Sequence, residues 1–216
     1  MQYGCPIIKS LFGEDCSLRR RCDSMNPVLV LLSGGIDSAA LVHYYRSKNT
    51  SVYGLHVQYG QPVAEREAQA AKAIAAHYGI DLRIAHIQPP LARKGEEYLC
   101  RNAIFVLIAC ANLSPGINRV ALGIHSGTIY YDCSQGFMAD MQRLLDGYFS
   151  GAVTVEAPFL RWSKLEVYQY CTSHGVPVDL TYSCERNNDE PCGQCPSCYD
   201  RRRLYEAGGF MSGKTN

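Results

Sequence analysis

The sequence predicts a doubly wound α/β fold built on a five-stranded parallel sheet. Short apolar runs alternate with longer helical segments across residues 27–174, and such alternation demands crossover connections and parallel strands. A glycine-containing turn separates the first run from the first helical segment, where folds of this class place phosphates. A length of 216 residues, 47% of them apolar, supplies a core for one such domain with a small appendage.

Each element has its own signal. Residues 28–32 (VLVLL) form a continuous apolar run, as in a buried parallel strand. Residues 37–46 read as a helix and 52–57 as a second strand. Residues 65–78 are an alanine-rich helix closed by Gly79, where helices commonly end. Residues 82–87 give a third strand, stopped by Pro89-Pro90, and 98–113 a mostly apolar helix expected against the sheet. A fourth strand is expected at 119–124, a helix at 137–149 and a short fifth strand at 153–157. The helix at 163–174 carries Ser163 as N-cap and Glu166 three residues later, a capping box. Residues 1–26 are polar and irregular and read as an N-terminal extension. Residues 27–178 then form the nucleotide-binding α/β domain, 179–210 a metal-binding C-terminal region and 211–216 a mobile tail.

Composition excludes several classes. A net charge of +1 implies no bulk attraction to nucleic acid or membrane. The clusters Arg19-Arg20-Arg21 and Arg201-Arg202-Arg203 read as solvated surface charge. No charged segment followed by a long apolar stretch opens the chain, and the apolar run at 28–32 is too short to span a bilayer. A cytoplasmic chain is expected. Its thiols stay reduced there, so clusters among its 11 cysteines point to metal or catalysis rather than disulfides. Cys5, Cys16 and Cys22 fit no metal-ligand spacing.

The turn at 33–38 is Ser33-Gly34-Gly35-Ile36-Asp37-Ser38. Its glycines let backbone N–H groups turn toward an anion, and Ser33 and Ser38 add hydroxyl donors. The helix that follows offers its positive end. Asp37 can cap that helix or hold Mg2+ beside the phosphates. A second phosphate-loop pattern, Gly208-Gly209-Phe210-Met211-Ser212-Gly213-Lys214-Thr215, needs a helix after it; only Asn216 follows, so it is set aside.

Cys184, Cys192, Cys195 and Cys198 stand in a polar stretch, the last three as Cys-Gly-Gln-Cys-Pro-Ser-Cys. Two adjoining C-x-x-C steps and a fourth cysteine can wrap a tetrahedral metal. Zn2+ is expected, with an iron–sulfur cluster as the minor alternative. Four thiolates leave no open position, which predicts a folding role.

The hexapeptide resembles the PP-loop of the N-type ATP pyrophosphatase family, whose members cleave ATP between the α- and β-phosphates and adenylate an oxygen. With the four-cysteine loop, residues 28–210 resemble one branch of it, the 7-cyano-7-deazaguanine synthase family. Tyr59-Gly60-Gln61, Arg101-Asn102, Gly123, Lys164-Leu165-Glu166 and Ser183-Cys184 match further segments of that family. The resemblance implies that 7-carboxy-7-deazaguanine becomes an acyl adenylate. Ammonia then gives the amide, and a second activation gives the nitrile. It implies ATP at Ser33, Gly34, Gly35, Asp37, Ser38 and Gly123, with Arg101 and Lys164 stabilising developing charge. It also implies a base pocket at Tyr130, Tyr131 and Asp132.

Departures lie on the acceptor side. Gln58 stands where the family carries Asp, Leu99-Cys100 where it carries Pro-Gly, and Ser134 where it carries Arg; the spacing from Gly123 to residues 131–133 is two residues shorter. The activation half is therefore expected to be preserved and the acceptor half altered. Relatives of this synthase in bacterial antiviral operons resemble ligases that join a deazaguanine to a protein amine, a second reading here. A tRNA-modifying enzyme or a non-catalytic nucleotide-binding module is a third, and near-zero charge argues against a large RNA footprint. The nucleophile and the oligomeric state, a homodimer among the options, stay open.

Overall fold

The computed structural model describes residues 26–95, 97–188 and 190–208. Most of the N-terminal extension and the tail at 211–216 lie outside the described residues. The main sheet contains β1 (Val28–Leu31), β2 (Val52–Gln58), β3 (Leu82–His86), β6 (Arg119–Ala121) and β7 (Thr154–Glu156), in the order β3-β2-β1-β6-β7. Every neighbouring pair in it is parallel. A two-stranded antiparallel ribbon, β4 (Arg93–Lys94) and β5 (Glu97–Tyr98), stands apart from it.

Alternation along β1 divides the core. Val28, Val30 and Leu32 face one layer, where α1 (Ile36–Arg46), α2 (Ala64–Tyr78), α5 (Lys164–His174) and α6 (Pro196–Ala207) bury Leu41, Ile74, Val167 and Leu204. Leu29 faces the other, where α3 (Arg101–Ala111) and α4 (Gln135–Phe149) contribute Val106, Phe137 and Leu145. Strand order reverses between β1 and β6, so a crevice opens beyond their carboxyl ends. The register Leu31↔Leu55 and Val30↔Ala121 brings Ser33, His56 and Gly123 toward that crevice.

The five strands and five helices read from the sequence are present, with ends that shift by up to three residues. The apolar helix expected at 98–113 runs over Arg101–Ala111. Tyr98 pairs in the ribbon, and Cys100 adopts φ 59° at the N-cap, which breaks any earlier start. The strand expected at 119–124 pairs only over Arg119–Ala121. The ribbon and α6 are additions. Pro196 opens α6, and the Cys195 side chain accepts the N–H of Cys198. Arg201 is not solvated surface charge: it donates to the carbonyls of Val178 and Thr181 at 3.0 and 3.1 Å. Among the described residues, no helix is long and apolar enough to cross a membrane.

Candidate functional site

The loop at 33–38 is held at three points. Ser33 Oγ donates to Ser38 Oγ (3.1 Å), and Ser38 Oγ donates to the Gly35 carbonyl (2.9 Å). The Tyr182 N–H donates to the Gly34 carbonyl (2.9 Å), tying the loop to the C-terminal region. Gly34 sits at φ +91°, and a Cβ there would lie 2.5 Å from the Glu67 carbonyl oxygen, so only glycine fits. Gly35 caps α1 without a side-chain hydrogen bond, which leaves the N–H groups of the first turn available to an anion. A Cβ at Gly123 would approach the Asp37 backbone to 3.0 Å, so glycine lets the chain after β6 close over Asp37.

Asp37 is the centre of charge. Lys164 Nζ donates to its Oδ2, and His125 Nε2 lies 4.0 Å from the same oxygen. Its Oδ1 is buried without a hydrogen-bond partner. Lys164 begins α5, whose capping box is complete: Ser163 N–H donates to Glu166 Oε2 (2.6 Å) and Glu166 N–H to Ser163 Oγ (3.2 Å). One carbonyl connects these parts, because Trp162 O accepts both the N–H and the hydroxyl of Ser126 (2.8 and 2.7 Å). His125 Nδ1 bonds Ser126 O at 2.6 Å. His56, 1% exposed, bonds Leu32 O through Nδ1 (2.9 Å), and its Nε2 has no partner. Burial lowers its pKa, so the ring is neutral and Nε2 is a bare acceptor.

Ser33, Asp37, Ser38, His56, Gly123 and His125 border a cleft of about 350 Å³ whose walls include Leu31, Leu55, Val57 and Phe105. Arg101 also lines it. Burial opposes that charge, but a hydrogen bond with Tyr59 and the nearby Asp132 and Cys133 hold the guanidinium above the ordinary arginine pKa. Glu67, with its carboxylate bonded by Gln61 Nε2 at 2.7 Å, is pushed upward by burial. Cys133 also lines the cleft, and burial raises its thiol.

The structure brings together Ser33, Asp37, Ser38, Arg101, Gly123 and Tyr130 around this cleft, with Lys164 bonded to Asp37. It does not bring Tyr131 and Asp132 into the lining. Tyr131 is 59% exposed and hydrogen-bonds Asp140. Asp132 turns to the start of α3, where it accepts from Asn102 N (3.3 Å) while its carbonyl accepts from Asn102 Nδ2 (3.0 Å). His56, Glu67 and His125 escaped sequence reasoning. The one signal for His125 was its place directly after the fourth apolar run at 119–124.

In the C-terminal region the sulfurs of Cys184, Cys192, Cys195 and Cys198 lie within 4.8 Å of one another. Main-chain N–H groups point at them: Arg186 N and Cys192 N at Cys184 (both 3.4 Å), Cys195 N at Cys192 (3.3 Å), Cys198 N at Cys195 (3.4 Å). Donors led by the Gln194 N–H draw the Cys192 thiol down to about 6, whereas burial pushes Cys198 up to about 12. A cation among them lets all four ionise. Four soft sulfur donors in a closed cluster suit zinc.

The family model for queuosine biosynthesis protein QueC matches residues 27–99 and 94–209. A 7-cyano-7-deazaguanine synthase of Methanoculleus marisnigri is 29% identical, over 86% of this chain and 96% of its own. One from Rhizobium etli is 31% identical, over 84% of this chain and 88% of its own. The crystal structure of a predicted tRNA methyltransferase subunit from Methanocaldococcus jannaschii shares the fold, with a TM-score of 0.50 at 12% identity over 68% of this chain and 76% of its own.

Proposed function

The chain belongs to the QueC family of queuosine biosynthesis proteins, and on that premise we propose that it is an ATP-dependent ligase. It adenylates the carboxylate of 7-carboxy-7-deazaguanine and couples the acyl group to a nitrogen nucleophile. Ammonia gives the amide, and a second activation of the amide oxygen gives 7-cyano-7-deazaguanine. The observation that carries this reading is the convergence on Asp37 of an uncapped helix start, a lysine and a bare carboxylate oxygen, at the crevice where the strand order reverses.

The residues fit the nucleotide. Ser33, Gly34, Gly35 and Ser38 cradle phosphates with N–H and hydroxyl donors. Lys164 bonds Asp37 Oδ2 and leaves Oδ1 free, so Asp37 could hold a Mg2+ ion, which would supply positive charge beside the phosphates. The slot between Leu31, Leu55 and Phe105 accepts a planar ring, and His56 Nε2 accepts a hydrogen bond from its amino group or ribose. ATP supplies an α-phosphorus that the substrate carboxylate attacks, so that pyrophosphate leaves and AMP becomes the leaving group. Lys164 and Arg101 offset the negative charge that builds in that step. Gly123 gives the nucleotide room beside Asp37. Tyr130 stacks on the deazaguanine. Asp132 serves the pocket indirectly, by holding Asn102 at the start of α3 next to Arg101. The four cysteines hold Zn2+ in a structural role.

Incubation with ATP and 7-carboxy-7-deazaguanine, with and without ammonium, tests the reading by mass spectrometry. The expected products with ammonium are AMP, pyrophosphate, the amide and the nitrile. AMP release that is indifferent to the deazaguanine contradicts it. The uncovered rim, with Ile129 97% exposed beside Tyr130 and Tyr131, favours keeping a protein amine as the second candidate nucleophile. An added protein that gains the mass of the acyl group identifies that case.

A further inference from the structure

Resting on the nucleotide reading of the loop at 33–38, we infer that Arg201 is a positioning residue for that loop. Arg201 does not line the cleft. It fixes the backbone around Tyr182, and Tyr182 fixes which way the Gly34–Gly35 peptide faces. A trans peptide points its C=O and its N–H in opposite directions. The Gly34 carbonyl accepts the Tyr182 N–H at 2.9 Å on one side. The Gly35 N–H is thereby turned to the other, where it reaches Ser33 Oγ at 3.4 Å. Ser33 stands on the wall of the cleft, so this N–H is presented at the start of α1, where an anion needs its donors.

The loop needs that support from outside. A peptide between two glycines carries no side chain to resist turning over. Tyr182 in turn lies in a stretch, 181–184, that is neither helix nor strand. Its main chain is held through the residues beside it. Arg201 Nη1 donates to the Thr181 carbonyl (3.1 Å) and to Ser183 Oγ (3.3 Å), one on each side of Tyr182. Nη2 donates to the Val178 carbonyl (3.0 Å). Nε donates to the Tyr205 hydroxyl (2.7 Å), and the guanidinium carbon lies 5.5 Å from the centre of that ring. With all three nitrogens engaged, the planar fork has one setting. The Tyr182 hydroxyl donates to the Arg186 carbonyl (3.0 Å), which anchors the ring rather than the main chain.

The sequence places Arg201 for this role. Cys198, Arg201 and Leu204 recur every three residues on one face of α6, and the outer two are buried. Arg202 and Arg203 are exposed by comparison. Arg202 donates to the Gly193 carbonyl (3.0 Å), and the Arg203 guanidinium lies 5.9 Å from the Tyr199 ring. Neither reaches the stretch that holds Gly34. A lysine at 201 would keep the charge but bring a single nitrogen, which cannot serve acceptors on both arms of the fork.

The test separates the phosphates from the rest of the nucleotide, by calorimetry on the full chain. In Arg201→Lys the affinity for ATP should fall by about 10-fold, the low end for a lost hydrogen bond to a charged group. The affinity for adenosine, which has no phosphate to meet the loop, should stay unchanged. In steady state the same variant should raise KM for ATP and leave kcat as it was, the signature of lost uniform binding. Tyr205→Phe frees only Nε and should show the same pattern at smaller size; it carries the comparison if circular dichroism shows that the lysine variant does not fold. Equal losses for ATP and adenosine mark a merely structural arginine and overturn the assignment, as does unchanged ATP affinity in the folded variants. A wild-type protein that binds ATP no better than adenosine refutes the phosphate reading of the loop itself.

Discussion

The cysteine loop and the phosphate loop are neighbours, joined by the Tyr182 N–H to Gly34 carbonyl hydrogen bond, yet they treat their polar atoms in opposite ways. Around the cysteines, main-chain N–H groups point inward at Cys184, Cys192 and Cys195, and the sulfurs face one another. Around the phosphate loop, Asp37 Oδ1 and His56 Nε2 are buried with nothing to bond. Leaving a buried polar atom unpaired costs about 1–3 kcal/mol, a cost that a fold sustains where a ligand will complete the bond. A closed site of this kind holds structure, and an open one is set for chemistry.

The largest effect that can break this contrast is at the cysteines. Structural zinc contributes about 10–16 kcal/mol of apparent binding energy in small zinc-binding peptides. Stripping the metal, or the change Cys195→Ser, should therefore unfold the C-terminal region and lower the melting temperature sharply. Because Tyr182 anchors Gly34, ATP affinity should fall with it. Metal-free protein that melts and binds ATP as before would show that the two loops are independent and that the cysteines hold no structural ion.

Next in size is Asp37→Ala, which should reduce AMP formation by about 10³-fold or more without shifting the melting temperature. Lys164→Met should cost about 10²–10³-fold, the scale of one lost electrostatic contact to developing charge. Steady-state AMP release measures both, and unchanged rates would remove Asp37 and Lys164 from the reaction. Gly34→Ala should destabilise by about 1–3 kcal/mol, since its φ of +91° and the Glu67 carbonyl both exclude a side chain. Urea unfolding reads that loss, and a neutral result would mean that the loop shifts freely.

The smallest effect is in pH. Burial sets the folded pKa of His56 below the ordinary value of 6.5, and burial together with His174 does the same to His43. Between the folded value and 6.5 the unfolded chain binds more protons, so stability is full above about pH 6.5 and declines as pH falls below it. Urea titrations at a series of pH values should show that slope, reduced in His56→Leu. A slope of opposite sign would mean that these rings are charged when folded.

Much of the fold was legible because burial leaves periodic marks. The run at 28–32 alternates between two core layers, Gly79 closes α2 in the left-handed conformation, and the Ser163–Glu166 box caps α5. The ribbon was not, since two-residue strands hold no period. Helix α6 was hidden because its sequence is mostly polar and buries little beyond Cys198 and Leu204. Arg201 looked like surface charge because the carbonyls it holds belong to a segment far earlier in the chain. The two contiguous motifs could be read whole. His56, Glu67 and His125 could not, because each matters only through strands and helices that meet across the crevice.

The claim that the substrate carboxylate attacks ATP is tested most directly by isotope transfer. With 7-carboxy-7-deazaguanine labelled with heavy oxygen in its carboxylate, and ammonium present, each AMP released by amide formation should carry one heavy oxygen. AMP without label, formed together with the amide, would contradict adenylation and require a different activated group.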